Sequence, residues 1–472
     1  MPRRRSVLAG SAAAGAAAVL AGLGLRSEAR AQEQDLMGDW TGVLQAGSVR
    51  LRLRLAIGDG EATLYSLDQG GAAIPASSVR ITADSVDLAF AVINARYQGR
   101  LEGGALVGTF TQGGAIPLQF ERGEAGLTAA PASQVLTAEG LAQLVGRSRA
   151  PAMAAAARGP DGRVLDLAAG LRQRGAAASV TTGDLWHVGS ITKSMTATLV
   201  AKLAEEGLLT WDAPLSQMLD GVAMRDEYRA VTLRHLLSHR SGLAGNIPVP
   251  RLLAYPREEA DARASRVAYA TEALAVAPAG PLGSHFEYSN SGYVIAGAII
   301  ERVTGQPWEV AIQERLFAPL GMTSAGFGAP GTPGAVDQPS GHAQGAMGVE
   351  AYPPGSPVTD NPAVLGPAGR AHMGRADLLK FAAAHRDRSP YLGSESWALL
   401  HTPPFGGDYA LGLVVRPDGA LWHNGSNTLW YAEMLIDRGR GVAAAAAANT
   451  GALDEAAPAV GEALMGAAAA VA

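Results

Sequence analysis

Cysteine is absent from the 472-residue chain. That excludes disulfides, a thiol nucleophile, a cysteine-ligated metal and a lipid-bearing cysteine. An excess of positive charge is also missing, since 38 Lys and Arg against 43 Asp and Glu leave a net charge of −5. A chain so balanced has no electrostatic footprint for nucleic acid. Beyond Leu25 no uninterrupted apolar run reaches the ~18 residues of a membrane-spanning helix. Gly and Ala are abundant, yet no repeat of fixed period is visible. Two short signatures are lacking as well. The absence of G-x-S-x-G argues against an α/β-hydrolase elbow, and the absence of His-Glu-x-x-His argues against a zinc-protease helix.

What is present begins with the N-terminus. Arg3-Arg4-Arg5 precedes an apolar stretch from Val7 to Leu25, followed by Ala29-Arg30-Ala31. A basic region, an apolar region and a small-residue cleavage site make an export signal over residues 1–31. Arg4-Arg5-Ser6-Val7-Leu8 resembles the twin-arginine signal, which points to the periplasm or secretion. An uncleaved membrane anchor is the alternative reading; cleavage leaves no stable membrane span.

The length predicts two or more domains, and 48% hydrophobic with 17% charged residues suits a globular protein. Residues 32–122 read as a small all-β accessory domain, a barrel or a sandwich. Val49-Arg50-Leu51-Arg52-Leu53-Arg54-Leu55 alternates as a half-buried strand must, and Gly58-Asp59-Gly60 supplies a turn. Further strands are predicted at Ala62–Leu67, Val79–Thr82, Val86–Phe90, Arg96–Glu102, Leu106–Thr111 and Ile116–Arg122. Residues 123–135 form a small-residue linker. The remainder, 136–472, reads as one α+β domain. Its hairpin is Ala152–Arg158 with Arg163–Leu167, and its helices include Ser190–Glu206, Gly292–Thr304 and one from Asp454. Its last strands fall at Ala410–Val415, Tyr431–Ile436 and Val442–Ala448, the Ala-rich run being a tightly packed buried strand.

Three elements of this domain carry chemistry. Ser190-Ile191-Thr192-Lys193 places a hydroxyl and an amine on one face of a helix, in contact. A serine needs a base to become a nucleophile, and burial can make a lysine that base. A plain N-cap serine is the other reading of this tetrapeptide. Tyr288-Ser289-Asn290 offers a phenol that can relay a proton and an amide that can orient substrate or Lys193. Ser289 or Asn290 can equally cap the apolar helix that follows. His423-Asn424-Gly425 opens a predicted strand, where Gly425 permits close approach and the Ser426 amide can face an oxyanion. Read alone, His423 is an ordinary loop histidine. His235 and His239, spaced i and i+4 on a predicted helix, have the spacing of metal ligands, but Leu236-Leu237-Ser238 between them does not complete such a motif.

In this order and at these separations, the three elements resemble the class C β-lactamase and penicillin-binding-protein family, in its esterase and DD-peptidase branch. Val231–Leu243 (VTLRHLLSHRSGL), Pro319-Leu320-Gly321-Met322 and Asn449 after a core strand are similar to the family's segments too. The resemblance covers roughly Leu136 to Ala472 and leaves the first domain outside. It implies an antiparallel sheet flanked by helices, with a further helical region. It also implies Ser190 as acylated nucleophile, Lys193 and Tyr288 as acid and base, and the amides of Ser190 and Ser426 as oxyanion hole. Asn290, His423, Gly425 and Ser426 become the substrate-binding residues, with no cofactor and no metal. The partner is then a small-molecule or peptide substrate: an ester, an amide or a D-amino-acid-containing peptide. His423 departs from the lactamase pattern, which has a lysine there, and so favours esterase or D-peptidase chemistry. The alternatives are a class C-like β-lactamase and a penicillin-recognising sensor that is acylated without turnover.

Overall fold

The computed structural model describes residues 35–46, 49–67, 73–93, 95–112, 114–123, 135–345, 348–356 and 358–472. The export signal and nearly all of the linker read from the sequence lie outside them. The chain divides into two compact units, Met1–Ala132 and Ser133–Ala472.

In the first unit the alternation seen in the sequence becomes the inside and outside of one antiparallel sheet. Its strands are β1 (Gly38–Ala46), β2 (Val49–Ile57), β3 (Ala62–Ser66), β4 (Ala73–Pro75), β5 (Ser78–Ile81), β6 (Ser85–Phe90), β7 (Ala95–Glu102), β8 (Ala105–Gln112) and β9 (Gly114–Arg122). Neighbours in sequence pair throughout, except β4 with β5, and β1 also pairs with β9. The sheet curls round on itself, with β4 and β5 at its two ends among the described residues. On β2, Leu53, Leu55 and Ile57 point inward while Arg54 stays outside, 3.0 Å from Asp39. Trp40, Phe90, Tyr97 and Phe120 fill the interior. The two polar rings among them find backbone acceptors, Trp40 Nε1 at Leu36 O and Tyr97 Oη at Leu106 O, both 2.9 Å. Strands β1 and β4 were not predicted. The segment GDWTGVLQA has two glycines and little alternation, and its strand comes from pairing with β2 along its whole length.

The second unit is built on a six-stranded antiparallel sheet. Its strands β10 (Ala152–Arg158) and β11 (Val164–Gly170) form the predicted hairpin. Three short strands, β12 (Leu185–His187), β13 (Gly326–Phe327) and β16 (Ala371–Gly374), make a second sheet, and β14 (Gly341–Gly345) with β15 (Gly348–Tyr352) make a separate hairpin. The main sheet is completed by β17 (Val414–Val415), β18 (Leu421–Ser426), β19 (Tyr431–Asp437) and β20 (Val442–Ala448), in the order β11-β10-β20-β19-β18-β17. Strands from both ends of the unit thus lie side by side.

Alanine explains how closely this sheet is covered. Met153, Ala155, Ala157, Ala444, Ala446 and Ala448 face the helices Ala138–Ser148 and Leu453–Val471. Ala154, Ala156, Ala443, Ala445 and Ala447 face the opposite side, under the helix Arg375–Asp387. Side chains of one methyl on both faces let helices approach from both sides, and every residue of β20 is buried. Asn449 closes that strand, its Oδ1 accepting from Ala152 N at 2.7 Å.

Some boundaries differ from expectation. The predicted strand Ala410–Val415 is a strand only at Val414–Val415. Gly412, with φ of +80°, turns the chain there, and Ala410 N donates to Leu413 O at 2.8 Å. The α-helix expected from Ser190 starts at Thr192, after a 3-10 turn. The helix carrying His235 ends at Leu237, because His239 takes φ of +60°.

Candidate active site

Ser190 occupies the 3-10 turn Gly189–Ile191, which runs directly into the helix Thr192–Glu205. Gly189 is needed there twice over. Its φ is +51°, and a Cβ on it would lie 2.4 Å from Ser426 N. Gly425 answers from β18, where a Cβ would lie 2.1 Å from Val188 O and 2.4 Å from Ser190 N. The Ser190 turn and β18 are thus in backbone contact, with the Ser190 and Ser426 amides both in that contact. Gly425→Ala is expected to force the two apart and to destabilise the unit by about 1–3 kcal/mol, measured by denaturant unfolding.

Lys193 lies beneath Ser190 and is fully buried. Its Nζ is 3.0 Å from Ser190 Oγ, 2.7 Å from Asn290 Oδ1 and 2.7 Å from Ala368 O. Among the described residues no carboxylate forms an ion pair with it. Burial without a counter-ion holds its amine well below the ordinary lysine range. A neutral amine has two N–H donors and one lone pair. Asn290 and Ala368 take the two donors, which leaves the lone pair for the Ser190 hydroxyl.

Asn290 begins the helix Asn290–Thr304, and Ser289 caps it by accepting from Gly292 N at 3.2 Å. The capping and orienting readings of this motif therefore fall on different residues. Asn290 Nδ2 donates to Asn246 Oδ1 at 3.2 Å, which fixes the amide with its oxygen toward Lys193. Tyr288 stands at the mouth, 39% exposed as a residue, with Lys193 Nζ 4.9 Å from its ring centre. Burial around its hydroxyl pushes the phenol up to about 12, while the nearby Ser190 hydroxyl pulls the other way.

His423 is the third residue of β18 rather than its first, and it is buried. Its Nε2 lies 2.9 Å from Tyr409 Oη, and its Nδ1 faces Asn424 O. Because a carbonyl can only accept, Nδ1 carries the proton and Tyr409 donates to Nε2. Burial first, then the nearby Lys193, bring the imidazole down to about 3. It stays neutral at any ordinary pH. Ser426 faces the site through its backbone, its own Oγ being engaged by Thr428 N at 2.9 Å.

The site contains residues from outside the three motifs. Tyr409 is one. His239 is another, for its backbone carbonyl accepts from Glu287 N and its Nδ1 accepts from Ser289 N, at 2.9 and 3.0 Å. Its ring lies 4.3 Å from that of Tyr288 and 4.5 Å from that of Tyr409. His235 points elsewhere, its Nδ1 2.8 Å from Thr232 Oγ1 and its ring stacked on Phe405. The spacing of these two histidines therefore reflects a helix cap and a loop anchor, on either side of a helix end. The VTLRHLLSHRSGL segment was a visible signal for His239, but its contact with Tyr288 depends on folding.

Residues 138–468 match the family model described as Beta-lactamase. Penicillin-binding protein 4 of Amycolatopsis lactamdurans is 34% identical over 233 residues, covering 48% of this chain and 57% of that protein. Esterase EstB of Burkholderia gladioli is 33% identical over 172 residues, covering 34% of this chain and 43% of that protein. The chain spans about half the length of the curated relatives it matches. The D-amino acid amidase of Ochrobactrum anthropi SV3, solved with L-phenylalanine, shares the fold at a TM-score of 0.57 and 22% identity, over 70% of this chain and 96% of that one. The nine-stranded unit precedes the family match, which takes in well over half of the chain and every residue of the cluster around Ser190. This chain belongs to the β-lactamase family.

Proposed function

We propose that the protein is an exported serine hydrolase that cleaves a neutral ester, an amide or a D-amino-acid-containing peptide through an acyl-enzyme on Ser190. The observation that carries this reading is the buried Lys193 amine, 3.0 Å from Ser190 Oγ and in no ion pair with a carboxylate among the described residues. Lys193 Nζ takes the hydroxyl proton as Oγ attacks the carbonyl carbon. The oxygen that gains charge accepts from the Ser190 and Ser426 N–H groups. Tyr288, protonated up to about 12, hands a proton to the leaving oxygen or nitrogen and regains one from Lys193. Water then repeats the sequence on the acyl-enzyme, returning the proton to Ser190. No step calls on a cofactor. An esterase among the relatives supports hydrolysis of this kind. Export rests on the N-terminal signal, and the β-rich first unit is read as an accessory domain. Continuous turnover of an activated short-chain ester is the expected result. One burst equal to the enzyme concentration, without further turnover, would identify an acylated sensor instead.

The state of His423 favours neutral substrates over anionic β-lactams. A lysine there is a cation that can hold a carboxylate, whereas this imidazole is held neutral and bonded to Tyr409. Replacing a charge-assisted hydrogen bond with a neutral one costs about 1–2 kcal/mol, a factor of roughly 5 to 30. His423→Lys is therefore expected to raise kcat/KM on a chromogenic cephalosporin by roughly that factor, with no matching gain on a neutral ester. Wild-type enzyme that hydrolyses the cephalosporin faster than any ester or peptide would overturn the preference.

A further inference from the structure

The Ser190 turn and β18 meet through glycines, which permit contact but do not fix an angle. Behind them lies a buried carboxylate, Asp360, that none of the acyl-transfer steps uses. Its Oδ2 is 3.1 Å from His187 Nε2 and 3.2 Å from Arg370 Nε, and its Oδ1 accepts from Asn427 Nδ2 at 3.0 Å. Each partner leads to a different wall of the site.

The first wall is the nucleophile turn. His187 Nδ1 lies 3.1 Å from Gly189 N, and a backbone N–H can only donate. Nδ1 is therefore the bare nitrogen, and Nε2 carries the proton that Asp360 accepts. One imidazole thus links the carboxylate to the residue before Ser190. The second wall is the end of β18. Asn427 follows Ser426 directly, and its Oδ1 accepts from Leu429 N at 3.2 Å and Trp430 N at 3.1 Å, fixing the bend. The Trp430 ring returns to stack on His187, with centres 5.7 Å apart. The third wall is the segment bearing Ala368, the acceptor for Lys193, two residues before Arg370. Burial works to raise the Asp360 carboxyl, but His187, Arg370 and Asn427 together bring it down to about 2. It is ionised throughout the working range.

We propose that Asp360 is the positioning residue of the oxyanion hole, setting the Ser190 and Ser426 amides at a common spacing through His187 on one side and Asn427 on the other. The proposal rests on the reading of Ser190 as nucleophile. A carboxylate can accept from both sides at once. An asparagine in its place accepts with one atom and presents a donor with the other, so Asp360→Asn loses one limb. Asn427→Ser removes the second limb alone and leaves His187, Arg370 and the ion pair in place.

The test compares an ester with its thiono analogue, in which sulfur replaces the carbonyl oxygen. Sulfur accepts hydrogen bonds poorly, so the ratio of the two rates reports the oxyanion hole and little else. For Asp360→Asn and Asn427→Ser, kcat on the ester is expected to fall on the order of 10–100-fold. KM should change little, and the ester-to-thionoester ratio should fall toward one. A purely structural role would lower the titre of active enzyme and both rates together, leaving the ratio at its wild-type value, and that result overturns the proposal. Should Asp360→Asn fail to fold, the ratio in Asn427→Ser decides alone. If a fluorophosphonate fails to label Ser190 in the wild-type protein, the nucleophile assignment itself is at fault, and the proposal falls with it.

Discussion

Ser190→Ala is expected to lower kcat on any substrate of this enzyme by about 10⁴-fold or more, and to abolish labelling by a fluorophosphonate. In the proposed mechanism the substitution removes the atom that forms the covalent bond, which leaves only binding and the two backbone donors to act on the carbonyl. Geometry singles out this hydroxyl among its neighbours. Ser194 Oγ donates to Ile191 O at 2.7 Å and is buried, so it faces its own helix. Ser241 is buried as well, and Ser426 Oγ is occupied by Thr428 N. Of these serines, Ser190 is the one placed against the amine of Lys193. Mass spectrometry of the labelled peptide locates the adduct, and an adduct on Ser241 or Ser426 would refute the assignment.

The second large effect is expected at Lys193. Arginine is comparable in length but does not give up its proton in the working range. Lys193→Arg should therefore lower kcat by about 10²–10⁴-fold, the contribution of a positioned general base. The pH profile gives the sign. Only the neutral amine can accept a proton, and burial moves its titration well below 10.5. Activity of the wild type should fall as pH drops through that lowered value and the amine becomes charged. Above it the rate should level off, because Tyr288 keeps its proton up to about 12. Residual activity in Lys193→Arg should lack the acid limb. If that variant keeps both its rate and its acid limb, the base is elsewhere. His239 is then the first candidate, buried and also held well below the usual imidazole range.

Much of the scaffold was legible because its signals are local. Strict alternation over Val49–Leu55 needs no partner to be recognised as a half-buried strand, and Gly207 and Gly305, with φ of +74° and +70°, do end their helices. Where local signals were weak or conflicting, reading failed. The GDWTGVLQA segment becomes β1 through its neighbours, and Ala410–Leu413 turns at Gly412, where φ is +80° and a Cβ would sit 2.8 Å from Ser194 Cα. The i, i+4 spacing of His235 and His239 looked helical until the backbone at His239 crossed to positive φ.

The sequence by itself determined which chemistries are open. Without cysteine there is no thiol nucleophile, and Ser190 with Lys193 three residues later is a juxtaposition that one turn of chain enforces. The order of the three motifs was enough to recognise the family. Tertiary structure alone decided the state of those groups. Whether Lys193 is charged depends on what surrounds it, and Asn290, Ala368 and two tyrosine rings arrive from far along the chain. His423 is neutral because it is buried, and its bare Nε2 accepts a hydrogen bond from Tyr409, a residue in no motif. Asp360 gave no sign in sequence, since its meaning lies in joining residue 187 to residue 427. Short spacings are set by covalent geometry, whereas protonation and alignment are set by desolvation and by contacts between distant segments, which exist only once the chain has folded.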